Sequence, residues 1–285
     1  MKPLENITVL DFGQFLSAPS ASLKLADLGA EVIKVENPRD GDICRYMYIS
    51  NCKIGSDSSL FLAINRNKDG IAIDLKDSSQ TTTLHNLIKK ADVMIVNFRP
   101  GVAERLHIDY QSVKKIKSDI IYGEITGYGK NTPLSQKPGQ DLLVQALSGI
   151  TYVNGNQDQP PTPLGLSVAD LFAGQHLAQG ILASLYKKVQ TREGGYIHVS
   201  LLESILDIQF EVFTTYLNDG HKLPVRSAVN NANAYIDAPY GIYKTTDGYI
   251  AIAMVSIPIL GKLIDCLPLT SYINDTDGTC KRDEI

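Results

Sequence analysis

Two places in this chain combine chemically useful residue types with informative positions. Asp170 stands in Leu166-Ser-Val-Ala-Asp-Leu, where a long helical pattern opens. Unpaired backbone N–H groups and the positive end of a helix dipole favour the ionised form of a carboxylate placed there. An ordinary helix-capping aspartate is the plainer alternative. Asn97-Phe-Arg-Pro-Gly closes the apolar run that begins at Val93, and the carboxyl end of a strand in a parallel sheet is where ligands bind. Generic motifs are missing: there is no phosphate loop, no Gly-x-Ser-x-Gly elbow and no His-Glu-x-x-His. The first strand runs into Asp11-Phe-Gly-Gln-Phe-Leu-Ser-Ala-Pro, whose single glycine keeps the backbone away from a pyrophosphate and disfavours a nicotinamide dehydrogenase. Glu36, Asp42 and Glu124 offer acid or base chemistry by residue type alone, so structural roles suit them better. Cys44, Cys52, Cys266 and Cys280 are scattered, which suggests neither a zinc site nor a disulfide framework and fits a reducing compartment.

These residues need a scaffold, and the spacing of apolar runs predicts one. Strand-like segments recur at Ile7–Phe12, Glu31–Glu36, Ile71–Leu75, Val93–Phe98 and Ile120–Ile125, separated by helix-length stretches. Ser17 as N-cap, Pro19 in the first turn and Gly29 as stop frame the first crossover helix. Further helices are predicted at about 78–90, 102–117, 140–149, 168–189 and 200–218. This order is that of an α/β fold, a Rossmann-like doubly wound parallel sheet forming a large domain over residues 1–220. From about 221 the chain turns polar, with a hairpin turning at Asp247-Gly248, so 221–285 reads as the start of a second, smaller α+β domain.

Composition narrows the partners. With 27 Lys+Arg against 31 Asp+Glu the net charge is −4, and no basic run marks a nucleic-acid surface. No apolar stretch is long enough to span a bilayer, and the N-terminus lacks signal-peptide character, so a cytoplasmic protein is expected.

Several segments together are similar to one family. Leu10-Asp-Phe…Ala18-Pro, Leu28-Gly-Ala-Glu-Val-Ile-Lys-Val-Glu-Asn-Pro…Gly41-Asp, Asn65-Arg-Asn-Lys-Asp-Gly-Ile-Ala-Ile-Asp-Leu-Lys and Asn97-Phe-Arg-Pro-Gly occur in order. Pro138-Gly-Gln-Asp, Pro163-Leu-Gly-Leu-Ser-Val-Ala-Asp and Ala238-Pro-Tyr-Gly-Ile-Tyr follow. The chain resembles the class III CoA-transferases, a family that includes formyl-CoA transferase, carnitine CoA-transferase and the 2-methylacyl-CoA racemases. The resemblance implies that Asp170 is the nucleophile, forming an aspartyl–acyl anhydride and then an aspartyl-CoA thioester while CoA passes between carboxylic acids. It implies CoA contacts from Ile73, Asp74, Leu75, Lys76, Asn97, Phe98, Arg99, Arg105 and Lys137. It further implies coenzyme A or acyl-CoA as a substrate rather than a permanently bound cofactor, a small carboxylic acid as acceptor, no metal, and an interlocked homodimer.

Departures from the family pattern are informative too. Leu16 stands where formyl-CoA transferase places a pocket glutamine, Asn37 where it has an arginine against the adenine, and Pro138 where it has a lysine, with Lys137 adjacent. These differences argue against formate and oxalate as the substrate pair. Beside Asp141 the racemase branch has a histidine where this chain has Gln140, and an amide cannot exchange protons near neutral pH. Transferase is therefore expected over racemase, with a CoA-binding protein lacking turnover as the alternative from another class. The chain resembles a member of the family that stops within its small domain.

Overall fold

The computed structural model describes residues 2–226, 232–236 and 240–253. In chain order the elements are β1 (Thr8–Asp11), α1 (Ser17–Asp27), β2 (Glu31–Glu36), the short pair β3 (Lys53–Ile54) and β4 (Asp57–Ser58), α2 (Ser59–Asn65) and β5 (Lys68–Ala72). Next come α3 (Thr81–Lys90), β6 (Val93–Val96), α4 (Val102–Arg105), α5 (Tyr110–Ile116), β7 (Ile121–Thr126), α6 (Asp141–Ser148) and α7 (Ile150–Val153). The last are α8 (Val168–Thr191), β8 (Gly195–Ser200), α9 (Leu201–Asp207), α10 (Phe210–Asn218), β9 (Tyr240–Lys244) and β10 (Tyr249–Ala253).

Six parallel strands form the central sheet in the order β5-β2-β1-β6-β7-β8. That is the doubly wound order, with its reversal between β1 and β6. The loops leaving those two strands diverge and open a crevice at their carboxyl ends. All four residues of β6 are buried. Leu10, Met94, Ile88, Ile108 and Tyr122 form a core on one face of the sheet, each fully buried aliphatic side chain contributing ~1.5–3 kcal/mol.

The observed elements correct several sequence expectations. The third strand lies at Lys68–Ala72 rather than Ile71–Leu75, because the Lys68 ammonium is buried against Asp11, the Pro19 carbonyl and Asn65. The helix expected over 102–117 breaks at His107, whose φ is 56°, and restarts where Asp109 caps Gln111 and Ser112. The helix expected over 200–218 is likewise two helices, α9 and α10, and β8 was not anticipated at all. Leu16, not Ser17, occupies the cap position of α1. The hairpin forms as expected, pairing Lys244 with Tyr249.

Contacts divide the chain into two compact units, Met1–Val144 with Ser167–Leu206, and Gln145–Leu166 with Asp207–Ile285. This division assigns 145–166 and 207–220 to the second unit, beyond the boundary expected near 221. Residues 254–285 of the expected small domain lie outside the described residues.

Within the first unit α1 lies directly on α8, and Gly174 makes the approach possible. A Cβ there would overlap Ser20 Oγ and come within 2.7 Å of the Ser17 carbonyl. Gly174→Ala is therefore expected to lower stability by ~1–3 kcal/mol through overpacking. Urea unfolding checks this, and an unchanged midpoint would show that the two helices yield freely.

Candidate active site

A cavity of about 840 Å³ opens within the first unit at the carboxyl ends of β1, β6 and β7, in the size range of small-molecule sites. Gln14, Phe15 and Ser17 reach it from the turn after β1, and Asn97, Phe98 and Arg99 from the turn after β6. Lys137, Gln140 and Asp141 come from the segment before α6, and Asp170 from the first turn of α8. A close glycine contact sets that segment in place: a Cβ on Gly127 would stand 2.6 Å from the Gly139 Cα. Only a pair of residues without side chains lets 137–141 lie against the end of β7.

Asp170 is 5% exposed. The first amides of α8, placed to stabilise its charge, serve Asp141 instead. One Asp141 carboxylate oxygen accepts the Ala169 N–H at 2.7 Å and the Asp170 N–H at 3.3 Å. Burial, with the Asp141 charge beside it, pushes the Asp170 carboxyl up to about 7, against a lowering contribution from the Ser17 hydroxyl. The result is a carboxylate that is poorly solvated, poorly capped and turned into a cavity, as a nucleophile requires.

The turn opposite Asp170 is gripped from two sides. Asn97 accepts the Gln14 N–H at 2.9 Å and donates to the Gln14 carbonyl at 2.8 Å, and its amide also reaches Ser17 Oγ at 3.3 Å. Phe15 has a φ of 65°, a left-handed conformation that costs a side-chain-bearing residue ~1–2 kcal/mol. Beneath the turn lie two ion pairs, Lys34–Asp42 at 2.8 Å and Lys68–Asp11 at 3.0 Å, with all four side chains at most 3% exposed. Burial opposes the Asp11 charge, yet the Lys68 and Lys34 ammonium groups outweigh it and hold that carboxyl below its usual range.

The sequence-predicted residues fall into two groups. Asp170, Asn97, Phe98, Arg99, Lys137, Gln140 and Asp141 meet at the cavity. The other six lie off its wall. Ile73 belongs to the hydrophobic core, Leu75 packs on that core, and Lys76 and Arg105 are exposed. Asp74 accepts the Lys76 N–H and lies 3.6 Å from Arg39. Leu16 turns away into an apolar cluster with Cys44, Phe61 and Ile64. A smaller hollow of about 400 Å³ lies near the ends of β2 and β5, lined in part by Asn37, Arg39, Arg45 and Ala72. His176 sits 3.1 Å from Ser204, off the cavity wall. Sequence reasoning missed Gln14, Phe15, Ser17 and Thr126 as wall residues. Only the position of the first three, just after a strand that ends in a sheet crevice, signalled them.

The profile of CoA-transferase family III matches residues 4–283. A mouse protein named succinyl-CoA:glutarate CoA-transferase is 34% identical over 275 residues, covering 96% of this chain and 62% of that protein. The acetyl-CoA:oxalate CoA-transferase of Acetobacter aceti is 35% identical over 274 residues, covering 96% of this chain and 69% of that one. A crystal structure of a CaiB/BaiF family protein from Brucella suis superposes with a TM-score of 0.85 at 31% identity, covering 99% of this chain and 74% of that chain. The chain thus spans less than two thirds of the mouse relative's length. Among the described residues no helix is long and apolar enough to cross a membrane.

The buried Asp170 carboxyl carries a stability consequence. Between pH ~4, where an unfolded aspartate titrates, and about 7 the folded chain holds a proton that the unfolded chain has lost. Stability contributed at this site therefore falls as pH rises through that window, by at most ~4 kcal/mol. Asp170→Asn is expected to be more stable than the parent at pH 8, with the gap closing toward pH 4. Urea unfolding across pH measures this, and a gap independent of pH would mean that Asp170 titrates like a solvated carboxylate.

Proposed function

The chain belongs to CoA-transferase family III, and on that premise we propose that it moves coenzyme A from an acyl-CoA thioester to a free carboxylic acid, with Asp170 as covalent nucleophile. The observation that carries this reading is the buried Asp170 carboxylate facing the cavity at the crossover of a parallel sheet.

The ionised Asp170 attacks the thioester carbonyl, and collapse of the tetrahedral adduct expels CoA thiolate and leaves an aspartyl–acyl mixed anhydride. The thiolate attacks the aspartyl carbonyl, giving an aspartyl-CoA thioester and releasing the donor acid as its carboxylate. The acceptor carboxylate attacks that thioester, forming a second anhydride and freeing the thiolate again. Thiolate attack on the acceptor's acyl carbon then completes the new acyl-CoA and restores Asp170. The uphill formation of each anhydride is followed by its downhill capture by thiolate, so the whole exchange trades one thioester for another, and no step requires net proton transfer. Gln140 in the wall, where proton shuttling would need a titratable group, agrees with that sequence and speaks against the racemase reading.

Arg99 and Lys137 place two cations on the wall, suited to a CoA phosphate or to a second carboxylate on the acid. Relatives named for glutarate, oxalate and mesaconate support a dicarboxylic acid as one partner of the exchange. Coenzyme A enters and leaves as substrate. Leu142 and Leu143, which follow Asp141 in the chain, and Leu171 and Phe172, which follow Asp170, are exposed apolar side chains, which supports a homodimer that covers them. The free thiols Cys44 and Cys52 suit a cytoplasmic setting.

Incubation with succinyl-CoA, trapping with hydroxylamine and intact-protein mass spectrometry test the reading. A hydroxamate mapped to Asp170, absent in Asp170→Ala, is expected, and its rate of formation should rise with pH through about 7 as the carboxyl ionises. A folded protein that binds CoA and forms no adduct would be a binding protein without turnover.

A further inference from the structure

The buried charges under the turn after β1 make contacts that a purely stabilising pair would not need. Replacing a buried ion pair by apolar residues is often neutral or favourable, so its partners are more informative than its existence. Lys34 Nζ donates to the Gly13 carbonyl at 2.8 Å and lies 2.8 Å from Asp42 Oδ2. The other Asp42 oxygen accepts the Phe15 N–H at 3.2 Å and the Cys44 N–H at 3.0 Å. Cys44 in turn directs its thiol at the Phe15 carbonyl, 3.3 Å away. The N–H and the carbonyl of Phe15 are thus held through Asp42, and Phe15 is the residue with the left-handed backbone.

We propose that Lys34 and Asp42 are positioning residues. Their buried pair, acting with Cys44, holds the strained turn at Phe15 and so aims Gln14, Phe15 and Ser17 across the cavity at Asp170. The inference rests on the function proposed above for its catalytic consequence, though not for its structural one. A residue in a sparsely populated backbone conformation persists only where its surroundings over-determine it. Here the restraints come from both sides: Asn97 holds the two backbone groups of Gln14, and Asp42 with Cys44 holds those of Phe15. Leu16, the next residue, anchors the turn in its apolar cluster. Without the Lys34 ammonium, Asp42 would be a buried carboxylate lacking its counter-charge, an arrangement that favours movement of its side chain away from the Phe15 N–H.

Two readouts on the full chain test this. The first is the single-turnover rate of adduct formation from succinyl-CoA for Asp42→Asn and Lys34→Met, each alone and in a Phe15→Gly background. In the parent background the rate is expected to fall roughly 10- to 100-fold, the scale of an ångström-sized misplacement, with half-saturating succinyl-CoA changed by less than about 3-fold. In the Phe15→Gly background the same substitutions should cost less than about 3-fold, because glycine adopts a positive φ without being held. Equal losses in both backgrounds would overturn the proposal and leave a merely structural pair. Cys44→Ala and Cys44→Ser supply gentler variants should the charge changes prevent folding: the alanine variant should lose rate and the serine, which restores a donor, should keep it, and equal rates for the two would overturn the proposal.

The second readout is the fluorine spectrum of protein carrying fluorophenylalanine at its seven phenylalanines, with the Phe15 line assigned through Phe15→Leu. Cys44→Ala and Asp42→Asn should shift or broaden that line, and an unmoved line would overturn the proposal. This readout needs no turnover. If the parent forms no adduct, the transferase reading fails while the spectrum still decides the positioning.

Discussion

One helix N-terminus and two carboxylates govern this site. The first amides of α8 hydrogen-bond one anion well, and Asp141, reaching in from the segment before α6, takes them. Asp170 is left on the same turn with burial and a like charge as its surroundings, which is why its carboxyl titrates near neutrality rather than at its ordinary acidity. A solvated, fully capped aspartate would be stable and a weak nucleophile. The proposed transferase function would give this less stable arrangement a use.

That arrangement needs exact placement from elements far apart in sequence, and the packing supplies it through close backbone approaches. Gly127 against Gly139 brings the Asp141 segment to the end of β7, and Gly174 lets α1, which carries Ser17, lie on α8, which carries Asp170. The doubly wound strand order puts both approaches beside the crevice between β1 and β6. Beneath it, four buried charges and a left-handed Phe15 hold the opposing wall. Costs of a few kcal/mol at the site are small beside the burial of a core drawn from every strand flanking the crevice.

Legibility in the sequence followed the strength of the physical signal. Buried parallel strands read as continuous apolar runs, so β1, β2, β6 and β7 were visible. β5 was displaced by three residues because Lys68 and Asp69 hide its start, and a lysine buried against an aspartate 57 residues away has no local signature. α4 and α5 merged in the reading because the break at His107 depends on a positive φ that histidine does not announce. Of the residues that the family resemblance pointed to, Asn97, Arg99, Lys137 and Asp170 converge on one cavity. Ile73 and Leu16 are apolar side chains in apolar clusters, and their burial follows from packing that no motif encodes.

By itself, then, the order of residues determined the α/β class and the strand ends where a ligand would sit, while the family resemblance pointed to the carboxylate at the head of α8. The first two depend on contacts between residues close in the chain: hydrophobic period and turn chemistry. Tertiary structure alone decided that Asp141 takes the cap from Asp170, that Ser17 faces the cavity instead of capping α1, and that Lys34 and Lys68 are buried with partners. Those outcomes turn on which polar groups share a low-dielectric space, and that is set only when segments tens of residues apart close over them.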